Sequence, residues 1–208
     1  GVFPWSYYSQ LQDMLPATDQ YRLGNQRSSN AYSQKYRRRF SLVTDEVNKL
    51  DEERRAFWQE LTAFISGDTF IKTLVARFQE HLIKRYTGLK VTTRVELLRD
   101  TTEYRISPHT DAPHKIFTLL FYLPAAQDRT HLGTSIYLPK ERAFTDEIGT
   151  QLPFEDFDIY ETAPYLPNSV FGFMKTDNSF HGREPITDPD VQRDVMNCSF
   201  QHAERSAF

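Results

Sequence analysis

One cysteine, no long apolar run and no surplus of basic charge set the first limits on this chain of 208 residues. The lone Cys198 excludes an internal disulfide and fits a reducing, cytoplasmic setting. It falls in a late strand-like run, where it reads as a small buried residue. No stretch approaches the length of a membrane span. A formal net charge of −3 leaves no basic footprint for general nucleic-acid binding. The chain opens Gly1-Val-Phe-Pro-Trp with no signal-peptide pattern and no Met, so a processed or artificial end is expected, and an address removed earlier stays open. There is no repeat, low-complexity tract or linker composition. What the chain does have is 39% hydrophobic and 14% aromatic residues, enough for one sizeable core, and a single domain over 1–208 is expected.

The texture changes once along the chain. The first forty residues mix Trp5, Tyr7, Tyr8, Tyr21, Tyr32 and Tyr36 with polar residues, and read as a short helix around Ser6–Leu15, then loops with room for a strand. Asp51 is placed to cap a helix running through Ile65, with Phe57, Leu61, Phe64 and Ile65 on one face and Gly67 as its end. Asp68 is placed to cap the next, with Phe70, Leu74, Phe78, Leu82 and Tyr86 aligned and Gly88 as its stop. From Leu89 onward, short β-rich runs are broken by Pro, Asp, Asn and Gly. Helices and loops over about 1–88, then strands over about 89–200, predict a mainly β protein. Its expected form is a jelly-roll (cupin-like double-stranded β-helix) whose N-terminal helices support one sheet.

The chemistry concentrates in His109-Thr110-Asp111 and the distant His181. On a strand, residues i and i+2 face the same way, so His109 and Asp111 can share a target while Thr110 looks away. A second imidazole from His181 makes a two-His-one-carboxylate face with open positions opposite, the donor set of non-haem Fe(II). Arg193, twelve residues beyond His181, opens the run Arg193-Asp-Val-Met-Asn-Cys-Ser-Phe200. A planar guanidinium there is suited to hold a carboxylate with two parallel hydrogen bonds. Asn197 follows four residues later on the same strand face and is expected to line the pocket. His114, His131, His81 and His202 read as loop, turn, helix-surface and tail residues, with Pro113 arguing against a strand through His114.

From about Val91 to Phe200 the chain resembles the 2-oxoglutarate- and Fe(II)-dependent oxygenases, nearest to their prolyl-hydroxylase-like branch. The resemblance rests on Tyr104-Arg-Ile-Ser-Pro-His-Thr-Asp111, Thr118-Leu-Leu-Phe-Tyr-Leu-Pro124, Leu132-Gly-Thr-Ser-Ile-Tyr-Leu-Pro139, Pro167-Asn-Ser-Val-Phe-Gly-Phe173, His181-Gly182 and Arg193. It departs at Leu132-Gly133, where prolyl hydroxylases usually carry Gly-Gly. The resemblance implies Fe(II) on His109, Asp111 and His181, with 2-oxoglutarate as co-substrate, oxygen as oxidant and ascorbate as reductant. It also implies that Arg193 and Tyr122 grip the far carboxylate of 2-oxoglutarate, with Asn197 nearby. Hydroxylation of a substrate C–H bond, with release of succinate and CO2, is the implied activity.

Arg99 and Tyr104, on the approach to His109, are candidates for touching substrate, with surface or core roles equally open. Lys35-Tyr-Arg-Arg-Arg39 is either a solvated face or a rim that attracts an anionic substrate. The loops at the pocket mouth are expected from the segment up to about Phe40, from Ala125–Gly133 and from around Asn178. Two rivals stand beside the oxygenase reading: a non-catalytic metal-binding jelly-roll, and a cupin-like metalloenzyme that does not use 2-oxoglutarate. Peptidyl-prolyl, nucleobase, sugar and small-metabolite substrates remain open, as does the oligomeric state.

Overall fold

The structure, a computed structural model, describes residues 1–23, 35–78, 80, 90–141 and 143–203. Helix α1 spans Trp5–Asp13, α2 Glu52–Ser66 and α3 Asp68–Arg77. The start of α2 is fixed by Asp51, whose carboxylate accepts from the Arg54 backbone N–H at 2.9 Å, and Gly67 ends it. Its buried stripe is Phe57, Trp58, Leu61 and Ile65. Phe64, expected on that face, is instead 63% exposed and meets Phe70 of α3 edge-on. Trp58 is buried because its indole N–H donates to the Met14 carbonyl at 2.7 Å, tying α2 to the end of α1. Asp68 is the first residue of α3 rather than its cap; Gly67 holds the N-cap position. The expected continuation through Leu82 and Tyr86 to Gly88, with His81, lies outside the described residues.

Ten strands among the described residues form two antiparallel sheets. They are β1 (Arg22–Leu23), β2 (Arg37–Ser41), β3 (Val91–Thr101), β4 (Ile106–His109), β5 (Lys115–Tyr122), β6 (Thr134–Pro139), β7 (Phe157–Ala163), β8 (Ser169–Met174), β9 (His181–Arg183) and β10 (Gln192–His202). The large sheet runs β1-β2-β3-β10-β5-β8 and the small one β4-β9-β6-β7. Apart from the step from β6 to β7, each connection from β3 to β10 passes from one sheet to the other. The small sheet thus lies over the large one. The basic segment Arg37–Ser41 is a strand on the edge of β3, so the large sheet extends into the N-terminal part of the chain. His202, expected in a tail, closes β10, its N–H donating to the His114 carbonyl at 2.8 Å.

Alternation along the strands divides the large sheet into two faces. Val95, Leu97, Phe117, Leu119, Phe121, Met196, Cys198 and Phe200 point outward and pack with Leu11, Phe57, Trp58, Leu61 and Ile65 of α1 and α2. Full burial of each such side chain contributes about 1.5–3 kcal/mol, which makes this the principal core. The alternate residues point inward, between the sheets. Leu98, Tyr104, Tyr122, Leu132, Tyr165, Ile186, Val191 and Val195 form a second cluster in that space. No helix among the described residues is long and apolar enough to cross a membrane.

Candidate metal centre and its cavity

His109 is the last residue of β4 and sits directly opposite His181 of β9, with ring centroids 4.4 Å apart. Gly182 permits this approach, since a Cβ there would come within 2.6 Å of the Ile106 carbonyl oxygen. Each ring is oriented by the chain just before it. Nδ1 of His109 lies 2.8 Å from the Ser107 carbonyl oxygen, and Nδ1 of His181 lies 3.0 Å from that of Ser179. A carbonyl oxygen only accepts, so Nδ1 carries the proton and Nε2 keeps its lone pair on both rings. Asp111 follows just past the end of β4, and its carboxylate accepts from Lys115 Nζ and Thr118 Oγ1, each at 2.6 Å. Thr110 looks away, its hydroxyl donating to the Asp146 carbonyl and accepting from buried Lys175, each at 2.7 Å. The ligand atoms of His109, Asp111 and His181 all lie within 4.8 Å of one another.

Protonation favours a metal at this point. Burial, reinforced by neighbouring His181, pushes the His109 pKa down to about 3. Burial likewise lowers that of His181, against the pull of Asp111. For Asp111 burial acts upward, but Lys115, His181 and the two hydrogen bonds outweigh it and hold the carboxyl below the usual carboxylate range. Two neutral imidazoles and one carboxylate are therefore the resting state, the form in which all three bind a cation. The Phe173 ring centroid, 4.0 Å from that of His181, shields one side.

The three residues open onto a cavity of about 330 Å³ between the sheets. Arg193 lines it but is already engaged, with Nε donating to the Leu132 carbonyl at 2.6 Å and Nη1 to Asp100 at 2.8 Å. Its guanidinium lies 5.6 Å from the Tyr122 ring and 5.4 Å from that of Tyr165. Tyr122 is not among the residues lining the cavity; its hydroxyl accepts from the Thr134 N–H at 3.0 Å. Asn197 does line it, and its Oδ1 has no partner. Tyr104 lines it too, under the Arg37 guanidinium at 4.1 Å. Arg99 does not. It sits one step out of phase with Leu98 and Asp100 and points to the outer face, where Nε and Nη2 hold Asp194 at 2.7 and 3.2 Å. The expected substrate role for Arg99 is corrected accordingly. His114 borders the cavity from the turn before β5, and exposed His131 pairs with Asp188 at 2.9 Å.

Several residues of the cavity were not anticipated. Arg183 lies two residues beyond His181 on β9, so the same i, i+2 argument applied to the distal histidine points to it. It is 7% exposed, Nη1 pairs with Glu184 at 2.7 Å, and Nε has no partner. Arg94 and Glu96 project inward from β3; Arg37 and Arg39, already weighed as part of a rim for an anionic substrate, do so from β2. Of the three segments expected at the mouth, the one ending near Phe40 is represented in the lining by Arg37 and Arg39 among the described residues.

No family model matches the chain, and no curated protein matches it. Solved structures do. The dioxygenase for auxin oxidation 1 from Arabidopsis thaliana, in complex with 2-oxoglutarate, superposes with a TM-score of 0.53 at 12% identity, over 96% of this chain and 80% of that one. SnoN, a non-haem α-ketoglutarate-dependent epimerase from nogalamycin biosynthesis, gives 0.50 at 15% identity, over 98% and 76%. A Pseudomonas putida prolyl-4-hydroxylase gives 0.49 at 10% identity, over 97% and 89%. The first two likenesses show the fold alone: the chain shares the architecture of a dioxygenase solved with 2-oxoglutarate and of an α-ketoglutarate-dependent epimerase.

Proposed function

We propose that this chain is an Fe(II)- and 2-oxoglutarate-dependent dioxygenase, built on a double-stranded β-helix or jelly-roll, that hydroxylates a C–H bond of its substrate. The observation that carries the reading is the donor set of His109, Asp111 and His181. Its two free Nε2 atoms and ionised carboxylate fit a divalent cation and leave its other positions to the cavity. Lys115 and Thr118 orient the carboxylate, and the Ser107 and Ser179 carbonyls fix the imidazoles. Iron and 2-oxoglutarate, when bound, supply the oxidation: oxygen is consumed, succinate and CO2 are released, and the substrate gains a hydroxyl group.

Arg193 and Arg183 line the same cavity and together grip the far carboxylate of 2-oxoglutarate. Tyr122 acts behind them, its ring against the Arg193 guanidinium and its hydroxyl holding the Thr134 backbone. Asn197 offers an unpartnered amide oxygen, an acceptor, from the cavity wall. In the test, 2-oxoglutarate is titrated anaerobically into Mn(II)-loaded protein, and succinate is then measured with Fe(II), ascorbate and oxygen. The expected result is 2-oxoglutarate binding and slow, iron-dependent succinate release without added substrate. Absence of 2-oxoglutarate binding overturns the reading. One observation favours a metalloprotein that does not use 2-oxoglutarate: Arg193 is already paired with Asp100. The same titration decides between them.

A further inference from the structure

We propose that Arg39 and Arg94, flanking Glu96 on the inner face of the large sheet, form an anion subsite in the cavity, and that the substrate carries a compact carboxylate or phosphate monoester that docks there. This rests on the dioxygenase reading and names its substrate class.

The argument is one of charge balance. Arg39 Nη1 lies 3.2 Å from the Glu96 carboxylate, and Arg94 Nη2 lies 2.7 Å from it, so two guanidinium groups share one carboxylate that is 2% exposed. The pattern repeats deeper in the cavity, where Arg37 at 2.6 Å and Arg193 at 2.8 Å share fully buried Asp100. By contrast, Lys115 is matched by Asp111 and Arg183 by Glu184. A chain with net charge −3 thus concentrates two unmatched positive charges around one cavity. Holding cations together around one cavity with too few counter-charges costs energy through their mutual repulsion, and an anionic ligand removes the cost. The two charges of 2-oxoglutarate cancel those of a divalent metal, so these two bound groups leave the surplus in place.

Position assigns the surplus to substrate. Arg193 is buried, with its guanidinium beside the rings of Tyr122 and Tyr165. The Arg94 side chain is 53% exposed and that of Arg39 25%, so an incoming group reaches them from solvent. Each spends one N–H on Glu96 and retains other donors. Asn197, paired with Glu96 in the β3–β10 register, leaves Oδ1 unpartnered beside them, an acceptor for a hydroxyl or N–H of the same substrate and not for its anionic group.

Inorganic phosphate and acetate, titrated separately into Mn(II)-loaded protein saturated with 2-oxoglutarate, test the subsite. One of the two anions is expected to bind in the millimolar range, phosphate if the group is a phosphate monoester and acetate if it is a carboxylate. Arg94→Gln and Arg39→Gln should each weaken that binding roughly tenfold, the loss of a charge-assisted contact. Glu96→Gln should strengthen it by releasing both guanidinium groups. Arg94 is exposed enough that its variant tests the idea even if Arg39→Gln does not fold. No millimolar binding of either anion, or binding that Arg94→Gln and Glu96→Gln leave unchanged, overturns the subsite. The dioxygenase reading falls separately, on failure of wild-type Mn(II)-loaded protein to bind 2-oxoglutarate; the anion titration is then read on the Mn(II)-loaded protein alone.

Discussion

The two faces of the large sheet both carry buried side chains and use them for opposite ends. On β10, Met196, Cys198 and Phe200 point outward and are fully buried against apolar neighbours, whereas Arg193, Asn197 and Ser199 point into the cavity. Each face also holds a buried arginine–aspartate pair. The outer one is closed: Arg99 holds both oxygens of Asp194, Thr18 takes another of its donors at 2.8 Å, and Gln192 donates to Asp194 at 3.0 Å. The inner one is open, with Arg193 and Arg37 competing for Asp100. Depth of burial does not separate a structural ion pair from a binding site. The ratio of cations to anions does.

The sharpest way to break this comparison is to remove a metal ligand. His109→Ala, Asp111→Ala or His181→Ala should each abolish turnover and reduce metal affinity by more than the roughly 10–100-fold typical of losing an outer hydrogen-bond partner. Metal titration of each folded variant checks this, and wild-type affinity in all three would end the assignment. Next in size is the outer pair. Arg99→Met leaves Asp194 charged, buried and without its cation, which should cost about 3–5 kcal/mol of stability. Replacing both partners with apolar residues should recover most of it, and neither variant should alter metal affinity. Urea denaturation and metal titration together read the two faces apart. On the inner face, Arg193→Gln should weaken 2-oxoglutarate binding roughly tenfold to a hundredfold, from about 1.5–3 kcal/mol for a charged hydrogen bond, as read by calorimetry. An unchanged affinity there would leave the grip to Arg183.

How much of this was legible depends on whether a residue's role is set by local pattern or by register. The spacing His109-x-Asp111 placed two candidate ligands together without knowledge of the fold, and Asp51 marked the start of α2 because a cap acts over three residues. The distant His181 reads as the second imidazole that completes the donor set, and its position opposite His109 is a fact of strand pairing. In the sequence Arg99 stays open between substrate and core for the converse reason, since a shift of one residue along β3 exchanges cavity for core and nothing local marks the phase. Phe64 and Trp58 traded places because the Met14 carbonyl, far away in sequence, supplies the indole's partner. The basic run at Lys35–Arg39 leaves a solvated face and a rim for an anionic substrate both open, and pairing with β3 turns Arg37 and Arg39 inward.

The smallest expected effect on binding comes at one of two adjacent residues of β5 that belong to opposite faces. Thr118 points inward, and its hydroxyl donates to Asp111 at 2.6 Å; Leu119 points outward into the principal core. Thr118→Val keeps the shape and removes the hydroxyl, so Asp111 retains only Lys115 to orient it. Metal affinity should then fall about tenfold, at the low end for an outer hydrogen-bond partner, while thermal unfolding of the metal-free protein changes little. Leu119→Ala should do the reverse, costing about 2–5 kcal/mol of stability for the cavity it leaves and leaving metal affinity of the folded fraction unchanged. The crossed pattern is the useful result, because a general loosening of β5 would lower both quantities in both variants. If Thr118→Val lowers stability as much as affinity, the inner face contributes to the core, and the division between a structural face and a binding face does not hold at this strand.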